Sequence, residues 1–459
     1  MTQDHTPVPS AKQDAGLTAD KVRDVAALIA GGDLDGAVRL VGPLYAVDVA
    51  ALLNQLDDTQ RSVLVEKLRG RLDAEVLADL DDSVREKVVE QLGPAAVATA
   101  VTELETDDAV EVLANLDDQV RTSVLDAVPH AEREQIEESL AYPEESAGRL
   151  MQRDFVAVPE EWSVGQALDY LHDTEGLPDR FYEVFVIDRG RHPVGTLPLD
   201  RFLRSRRTKL VGAIMDRDPT LIPIGLDQEQ VAIQFQKYDL LSAGVVDGSG
   251  RLAGVIMIDD VVDVIREEVE EDMAHLGGVG DVSLARSVAD TARSRFSWLL
   301  VNLLTAIVAP IVISTFEGAI QQMVALAVLM PVVASMGGNS GTQTLTVAVR
   351  ALATQSLTRA NAARVVLKEV LVGAANGLAF AVIVGVVGGY WFGLPQLGIA
   401  FGGAMLINMI AAALAGILVP LGLVKLRVDP AVASSVFVTT VTDAIGYLSF
   451  LGLSAWLVL

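Results

Sequence analysis

The stretch Ser435-Val436-Phe437-Val438-Thr439-Thr440-Val441-Thr442-Asp443-Ala444-Ile445-Gly446 decides how this chain is read. It lies in an apolar segment, residues 431–459, that is long enough to cross a bilayer and carries a carboxylate. Counted from Asp443, Thr440 and Gly446 are three residues away, Thr439 four and Ser435 eight, so a helix places them on one face. An ionised Asp at mid-membrane costs roughly 2.5–3.5 kcal/mol on the insertion scale and is kept only with a partner, water or an ion. No Lys or Arg lies inside any of the apolar segments. A passing cation is the natural partner, which makes Asp443 the candidate ion-site residue.

Working outward, the back half holds further apolar segments. A first span is predicted at about 296–316, with Pro310 inside it. A second runs over 319–349 and is expected to be interrupted by Pro331 and by Gly337-Gly338-Asn339-Ser340-Gly341-Thr342-Gln343. Two more fit between Glu369 and Lys425, at 370–391 and 397–424, turning at Gly393-Leu394-Pro395. Five spans put the two ends on opposite sides. Arg286, Arg293 and Arg295 precede the first span, Arg350, Arg359, Arg364 and Lys368 follow the second, and Lys425 and Arg427 follow the fourth. The positive-inside rule then makes the front half cytoplasmic and puts Leu459 outside, in a cell (inner) membrane. Asn302, Asn339, Thr342, Gln343, Asn376, Asn408 and the Thr439/Thr440 pair are the polar residues of these spans, each a lining of the path or interhelical glue. The membrane half has no His and the chain no Cys, so the path offers oxygen ligands, which suit Mg²⁺ or a similar hard ion. Mg²⁺ sheds water reluctantly, so Asp443 is expected to hold it through its waters.

The chain has 459 residues and a net charge of −26, unevenly placed. Only five acids and nine bases follow Asp281, so about 30 net negative charges sit in the front. That separates a solvated acidic half from a bilayer half and excludes a nucleic-acid partner, since no dense basic face is present. Residues 1–17 are small and polar, read as a disordered lead-in without an apolar signal region. From 18 to 145 the pattern is helical with a recurring phrase. Leu56-Asp57-Asp58-Thr59-Gln60-Arg61 returns as Leu80-Asp81-Asp82-Ser83-Val84-Arg85 and as Leu116-Asp117-Asp118-Gln119-Val120-Arg121. An Asp ahead of an apolar-periodic run is an N-cap, and short helices stacked in series form a superhelix. The acid pairs read as caps on a scaffold, with cation collection as the alternative.

From 146 to 258 the character changes to strands and helices that occur twice. Met151 and Asp154 match Met215 and Asp218, while Val186, Asp188 and Gly195 match Val245, Asp247 and Gly254. This duplicated β-α-β-β-α unit resembles a pair of cystathionine-β-synthase-type (CBS) modules, which pair into a regulatory disc and often bind adenosine nucleotides such as ATP. In that pattern a Ser/Thr and a later Asp follow the second-strand Gly. This chain has Pro198 and Arg201 there in the first copy and Met257 and Asp260 in the second, so Asp260 alone fits.

Residues 259–281 are an acidic connecting helix and its exit, through Gly277-Gly278 and Gly280. Helical spacing collects Asp259, Asp263, Glu267 and Glu270 on one stripe, with Asp260, Glu268 and Glu271 beside it. Like charges at i,i+4 repel by a few tenths of a kcal/mol per pair, and a hard divalent cation relieves this. The stretch reads as a solvated linker or, preferred here, as a Mg²⁺-sensing gate element that couples the disc to the membrane half.

Taken in order, these parts resemble the MgtE family of bacterial magnesium channels/transporters over nearly the whole chain. The most specific residues are Pro331…Gly337-Gly338-Asn339-Ser340-Gly341-Thr342-Gln343, and Asp429-Pro430-Ala431…Thr439-Thr440-Val441-Thr442-Asp443…Gly446. The chain is thus expected to be a multi-domain membrane protein: an all-α superhelical N-terminal domain, an α/β CBS-domain pair, an acidic connecting helix and a five-helix transmembrane domain at 282–459. The resemblance implies a homodimer in the lipid bilayer with a pore on its axis, where Asp443, Thr439, Thr440, Asn339 and Ser435 line the Mg²⁺ site. It also implies that cytoplasmic Mg²⁺, bound between connecting helix and CBS modules, holds the pore shut. Family members can have Asn-Pro where this chain has Ser435-Val436, which removes an amide ligand and a bend. The expected function is a Mg²⁺-selective, Mg²⁺-gated channel. A proton- or Na⁺-coupled transporter and a non-transporting Mg²⁺ sensor are the alternatives. An enzyme is excluded for want of a nucleophile–base set or phosphate loop.

Overall fold

The computed structural model describes residues 16–178, 180–279, 288–358, 360–426, 428 and 430–458, with the backbone alone at 290 and 431–434. Outside the described residues lie 1–15 of the expected lead-in, and Gly280, Asp281, Arg286, Arg359, Arg427, Asp429 and Leu459. The chain forms two units that part after Glu267, inside one helix.

In the first unit the repeats build α1 (Ala19–Ala30), α2 (Leu34–Val41), α3 (Ala46–Gln55), α4 (Asp58–Leu68), α5 (Glu75–Ala78), α6 (Asp82–Leu92), α7 (Pro94–Glu103), α8 (Thr106–Ala114), α9 (Asp118–Leu125) and α10 (His130–Leu140). Their apolar faces share a core from Val25 to Ile136. The Asp caps hold at two of the three phrases: Asp57 accepts from the Gln60 amide (2.8 Å) and Asp117 from that of Gln119 (2.9 Å). Asp81 instead takes the Asn54 side chain of the preceding repeat (3.0 Å). The Arg of each phrase does more than periodicity suggests. Arg61, buried, donates to the Leu53 and Leu56 carbonyls (2.8 and 2.7 Å) and to Asp58 (2.7 Å). Arg85 does the same at Leu77, Ala78 and Asp82, and Arg121 at Ala114 and Asp118. Each closes the orphan carbonyls ending the previous helix and neutralises the second Asp of its own phrase.

After α11 (Ala147–Leu150) come the two expected copies. The first is β1 (Ala157–Pro159), α12 (Val164–Asp173), β2 (Glu183–Ile187), β3 (Pro193–Pro198) and α13 (Leu199–Leu203). The second is β4 (Leu221–Pro223), α14 (Gln228–Tyr238), β5 (Ser242–Val246) and β6 (Leu252–Met257), leading into α15 (Ile258–Leu276). Both sheets run parallel then antiparallel and both slip register at the same place, after Val186 and Val245. The matched Met and Gly residues explain how the copies join. A Cβ on Gly195 would meet Met215 Sδ at 2.7 Å, and one on Gly254 would meet Met151 Sδ at 2.8 Å. Each copy thus seats its leading Met against the glycine of the other's third strand, β3 or β6. Thr196–Asp216 and Gln152–Val255 backbone pairs, at 2.8–3.0 Å, lock the exchange.

The second unit takes the end of α15 and α16 (Val288–Ala306), α17 (Val308–Ser314), α18 (Glu317–Gln322), α19 (Ala325–Ala353), α20 (Ala362–Phe392), α21 (Pro395–Lys425) and α22 (Pro430–Leu457). Among the described residues four helical segments are long and apolar enough to cross a membrane: Thr291–Ser314, Ala362–Phe392, Pro395–Lys425 and Ser435–Leu457. The turn at Gly393 is as expected: its φ of +65° ends α20 in the left-handed conformation, and Pro395 opens α21. The expected second span differs. α19 is one unbroken helix of 29 residues, about 43 Å long, running through Pro331 and Gly337–Gly338. It is long enough to span but more polar than the rest. The glycines are packing sites, not breaks: a Cβ on Gly341 would meet Val438 at 2.6 Å. In lipid an unwound backbone has nothing else to bond, so the helix persists.

Candidate functional site

Asp443 sits on α22, partly buried, one residue from the seam where Thr442 and Val438 pack on Gly338 and Gly341 of α19. Among the described residues it forms no ion pair, so no fixed cation neutralises it. The hydroxyls above it are oriented by their own helix. Thr439 donates to the Ser435 carbonyl (2.9 Å) and Thr440 to that of Val436 (2.8 Å). Their oxygen lone pairs are left to accept from a hydrated ion's waters. Thr439 is exposed, and Ser435 and Thr440 partly so. On α19, Ser335, Asn339, Thr342 and Thr346 form an exposed polar stripe at helical spacing. Such a stripe on an apolar bundle needs water or a second polar surface against it. Of the other polar residues singled out, Asn376 is exposed on α20 while Asn408 is wholly buried.

A second constellation lies in the first unit. Asp259, Asp260, Asp263 and Glu267 of α15 are faced by acids of the superhelix: Glu75 and Asp79 at α5, and Glu105, Asp107, Asp108 and Glu111 at α8. Burial, then Asp260, holds the Asp107 carboxyl well above the usual range, and its Oδ1 is buried without a partner. Burial, then Glu111 and Glu105, pushes Asp108 up to about 7. Burial, then Asp259, pushes Asp260 up to about 8. Gln152 bridges the two sides, donating to Glu105 (2.5 Å) and to Asp260 (3.4 Å). Among the described residues no three of these groups converge tightly enough to chelate a bare ion. Glu268, Glu270 and Glu271 fall in the other unit, with Glu271 near His275 (3.7 Å).

The superhelix acids escaped the sequence reading, yet a signal exists. In the three phrases an Arg stands three residues after the second Asp, whereas three residues after Asp108 stands Glu111. Glu111 takes its cation, Arg85, from an earlier phrase (2.6 Å), and Asp108 forms no ion pair among the described residues.

The CBS cleft is lined by Asp154, Phe155, Arg180, Tyr182, Glu183, Phe185, Ser242 and Met257. It leaves a cavity of about 10 Å³, room for one water. Phe155 and Phe185 pack edge to face across it, and Glu183 bonds Ser242 (2.9 Å). With Arg180 as well as Asp154 and Glu183 on its walls, the cavity as it stands is too small to admit a nucleotide.

Family models match much of the chain: "Divalent cation transporter" at 330–453, "MgtE intracellular N domain" at 44–145, and the CBS domain at 147–207 and 211–267. The magnesium transporter MgtE of Thermus thermophilus is 32% identical over 431 residues, 92% of this chain and 95% of the relative. Its namesake in Enterococcus faecalis is 33% identical over 321 residues, 70% and 71% of the two chains. A solved structure, the cytosolic domain of the Mg²⁺ channel MgtE in complex with ATP, is 27% identical. It covers 53% of this chain and 99% of that one, with a TM-score of 0.49.

Proposed function

Because the chain belongs to the MgtE family of magnesium transporters, we propose that it is a Mg²⁺-selective channel whose own cargo closes it. The observation that carries this reading is Asp443, a carboxylate in an apolar helix with no ion pair among the described residues. Two copies facing each other through the polar stripe of α19 and the Asp443 face of α22 would enclose a hydrated path. Asp443 then holds Mg²⁺ through its waters, and Thr439, Thr440, Ser435 and Asn339 accept from those waters. α19 supplies a fifth crossing, which leaves the front half cytoplasmic and the far end outside. The protein is a transporter, not an enzyme.

Closure rests on the acids that meet at α15. Without a cation, Asp107, Asp108 and Glu111 repel Asp259, Asp260, Asp263 and Glu267 and favour an open arrangement. Mg²⁺ between them removes the repulsion and draws the surfaces together, a population shift set by its differing affinity for the two states. Glu268, Glu270 and Glu271 extend the acidic helix towards the membrane unit and add to the field. ATP at Asp260 would require the CBS cleft to open first.

Ion flux into liposomes bearing the purified chain tests this. Flux should follow voltage and the Mg²⁺ gradient, fall when Mg²⁺ is added on the cytoplasmic side, and vanish in Asp443→Ala. Dependence on a proton or Na⁺ gradient would favour a coupled transporter. Undiminished flux in Asp443→Ala would remove the pore assignment.

A further inference from the structure

Asn408 lies midway along α21, entirely buried. Its Nδ2 donates to the Val333 carbonyl of α19 at 2.8 Å, and its Oδ1 is buried without a partner. Two glycines on two other helices admit the amide. A Cβ on Gly337 of α19 would fall far inside contact distance of Nδ2, and one on Gly446 of α22 would meet it at 2.7 Å. A single flat side chain therefore fixes three helices against one another. Gly446 is one turn from Asp443, and Gly337 is two residues before Asn339. The site is an odd place for an amide if stability alone mattered. A buried polar atom left unpaired is costly, and an apolar side chain would fill the space without that cost. What the amide adds is direction: one donor satisfied by one carbonyl of α19 specifies register, which apolar packing specifies poorly.

We infer that Asn408 is a positioning residue for ion passage: it sets the register of α19 on α22, and so the place of Asn339 relative to Asp443. This rests on the reading of Asp443 as the pore ion site. The side chain itself, fully enclosed, touches no ion. Gly337 and Gly446 are the matching halves of the clamp, and their lack of a Cβ serves the amide.

The test uses the full chain in proteoliposomes, reading half-saturating Mg²⁺ and maximal flux separately, with thermal unfolding in detergent as the check on folding. Asn408→Leu should keep or raise the unfolding temperature yet shift half-saturating Mg²⁺ by about tenfold, the equivalent of about 1.4 kcal/mol. Gly446→Ala should lose flux alone but cost nothing further when added to Asn408→Ala, since the atom it collides with is then gone. Wild-type half-saturation in Asn408→Leu, or additive losses in the double variant, would overturn the inference. Asp443→Ala separates the two levels. Full flux there defeats the pore reading itself, whereas a silent Asp443→Ala beside an unaltered Asn408→Leu defeats the clamp alone.

Discussion

Asp260→Asn removes one charge from the crowded face between α15 and the superhelix while keeping an oxygen that can accept from Gln152 and from the Met257 amide. Two effects oppose each other. The variant loses a group that can bind Mg²⁺ waters, and it loses a charge that pushes the surfaces apart. Magnitude decides which dominates without Mg²⁺. Asp260 is held up at about 8 against an ordinary 3.8, chiefly by burial and then by Asp259. At about 1.4 kcal/mol per pH unit, bringing it at pH 7.5 from an open arrangement, where it is ionised, into the packed one, where it takes up a proton, costs up to on the order of 5 kcal/mol, shared with its neighbours. Even a quarter of that moves an open–packed balance about tenfold. In Mg²⁺-free buffer the variant should therefore be the more compact form. Trypsin digestion of the full chain at pH 7.5 reads this directly, because an open arrangement exposes the face of α15. Asp260→Asn should be cut several-fold more slowly than the parent without Mg²⁺, and the parent should reach the same protection once millimolar Mg²⁺ is added. Equal or faster cutting of the variant without Mg²⁺ would show that these carboxylates do not repel across the interface.

Proton dependence follows from the same groups. With Asp108 at about 7 and Asp260 at about 8, the packed form binds protons that the open form releases, so ion-free packing is strongest in acid and is lost as pH rises through 7 to 8. The protection gained from Mg²⁺ should accordingly be small at pH 6 and large at pH 8.5 in the same digestion assay. Arg85→Ala strips the Leu77 and Ala78 carbonyls of their donor and leaves Glu111 without its partner. It should destabilise the superhelix by roughly 2–4 kcal/mol, read as a lower urea midpoint with helical content intact in the absence of denaturant. Gly254→Ala puts a Cβ 2.5 Å from the Gln152 carbonyl, a backbone atom that cannot swing away. A cost of about 1–3 kcal/mol is expected, seen as a lower thermal midpoint of the first unit.

Much of this molecule was legible in its residues because the relevant forces are local. The turn at Gly393 and Pro395, the caps at Asp57 and Asp117 and the duplicated module all rest on spacing within a few residues. Matching Met151 with Met215 and Gly195 with Gly254 foretold a symmetric pair, though not that each Met would seat against the other copy's glycine. What stayed hidden depends on distant parts of the chain. Gly337 and Gly341 look like helix breakers until Asn408 and Val438 are seen against them. Asp107 carries no signal of its own in the sequence until its buried, unpartnered oxygen is placed opposite Asp260. The Arg residues of the repeat look like solvated charge until Arg61 and Arg85 are found sealed over carbonyl groups. For the glycines and Asp107 the deciding neighbour lies far along the chain, and for the Arg residues it is the end of the preceding helix, which spacing alone does not aim at them.

α15 carries the acids facing the superhelix near its start, and near its end Leu276, which packs with Val438 and Val441 of the Asp443 helix. A helix is a screw: one residue advances it about 1.5 Å and turns it about 100°. Losing a single residue between Glu267 and Leu276 would swing that leucine a quarter-turn or more out of phase with the carboxylates upstream. Swapping one side chain for another in the same stretch would leave the phase untouched. The composition of this rod is therefore negotiable, but its length in residues is a gear ratio: if the proposed sensing acids act on the proposed pore through it, a one-residue deletion should uncouple the two.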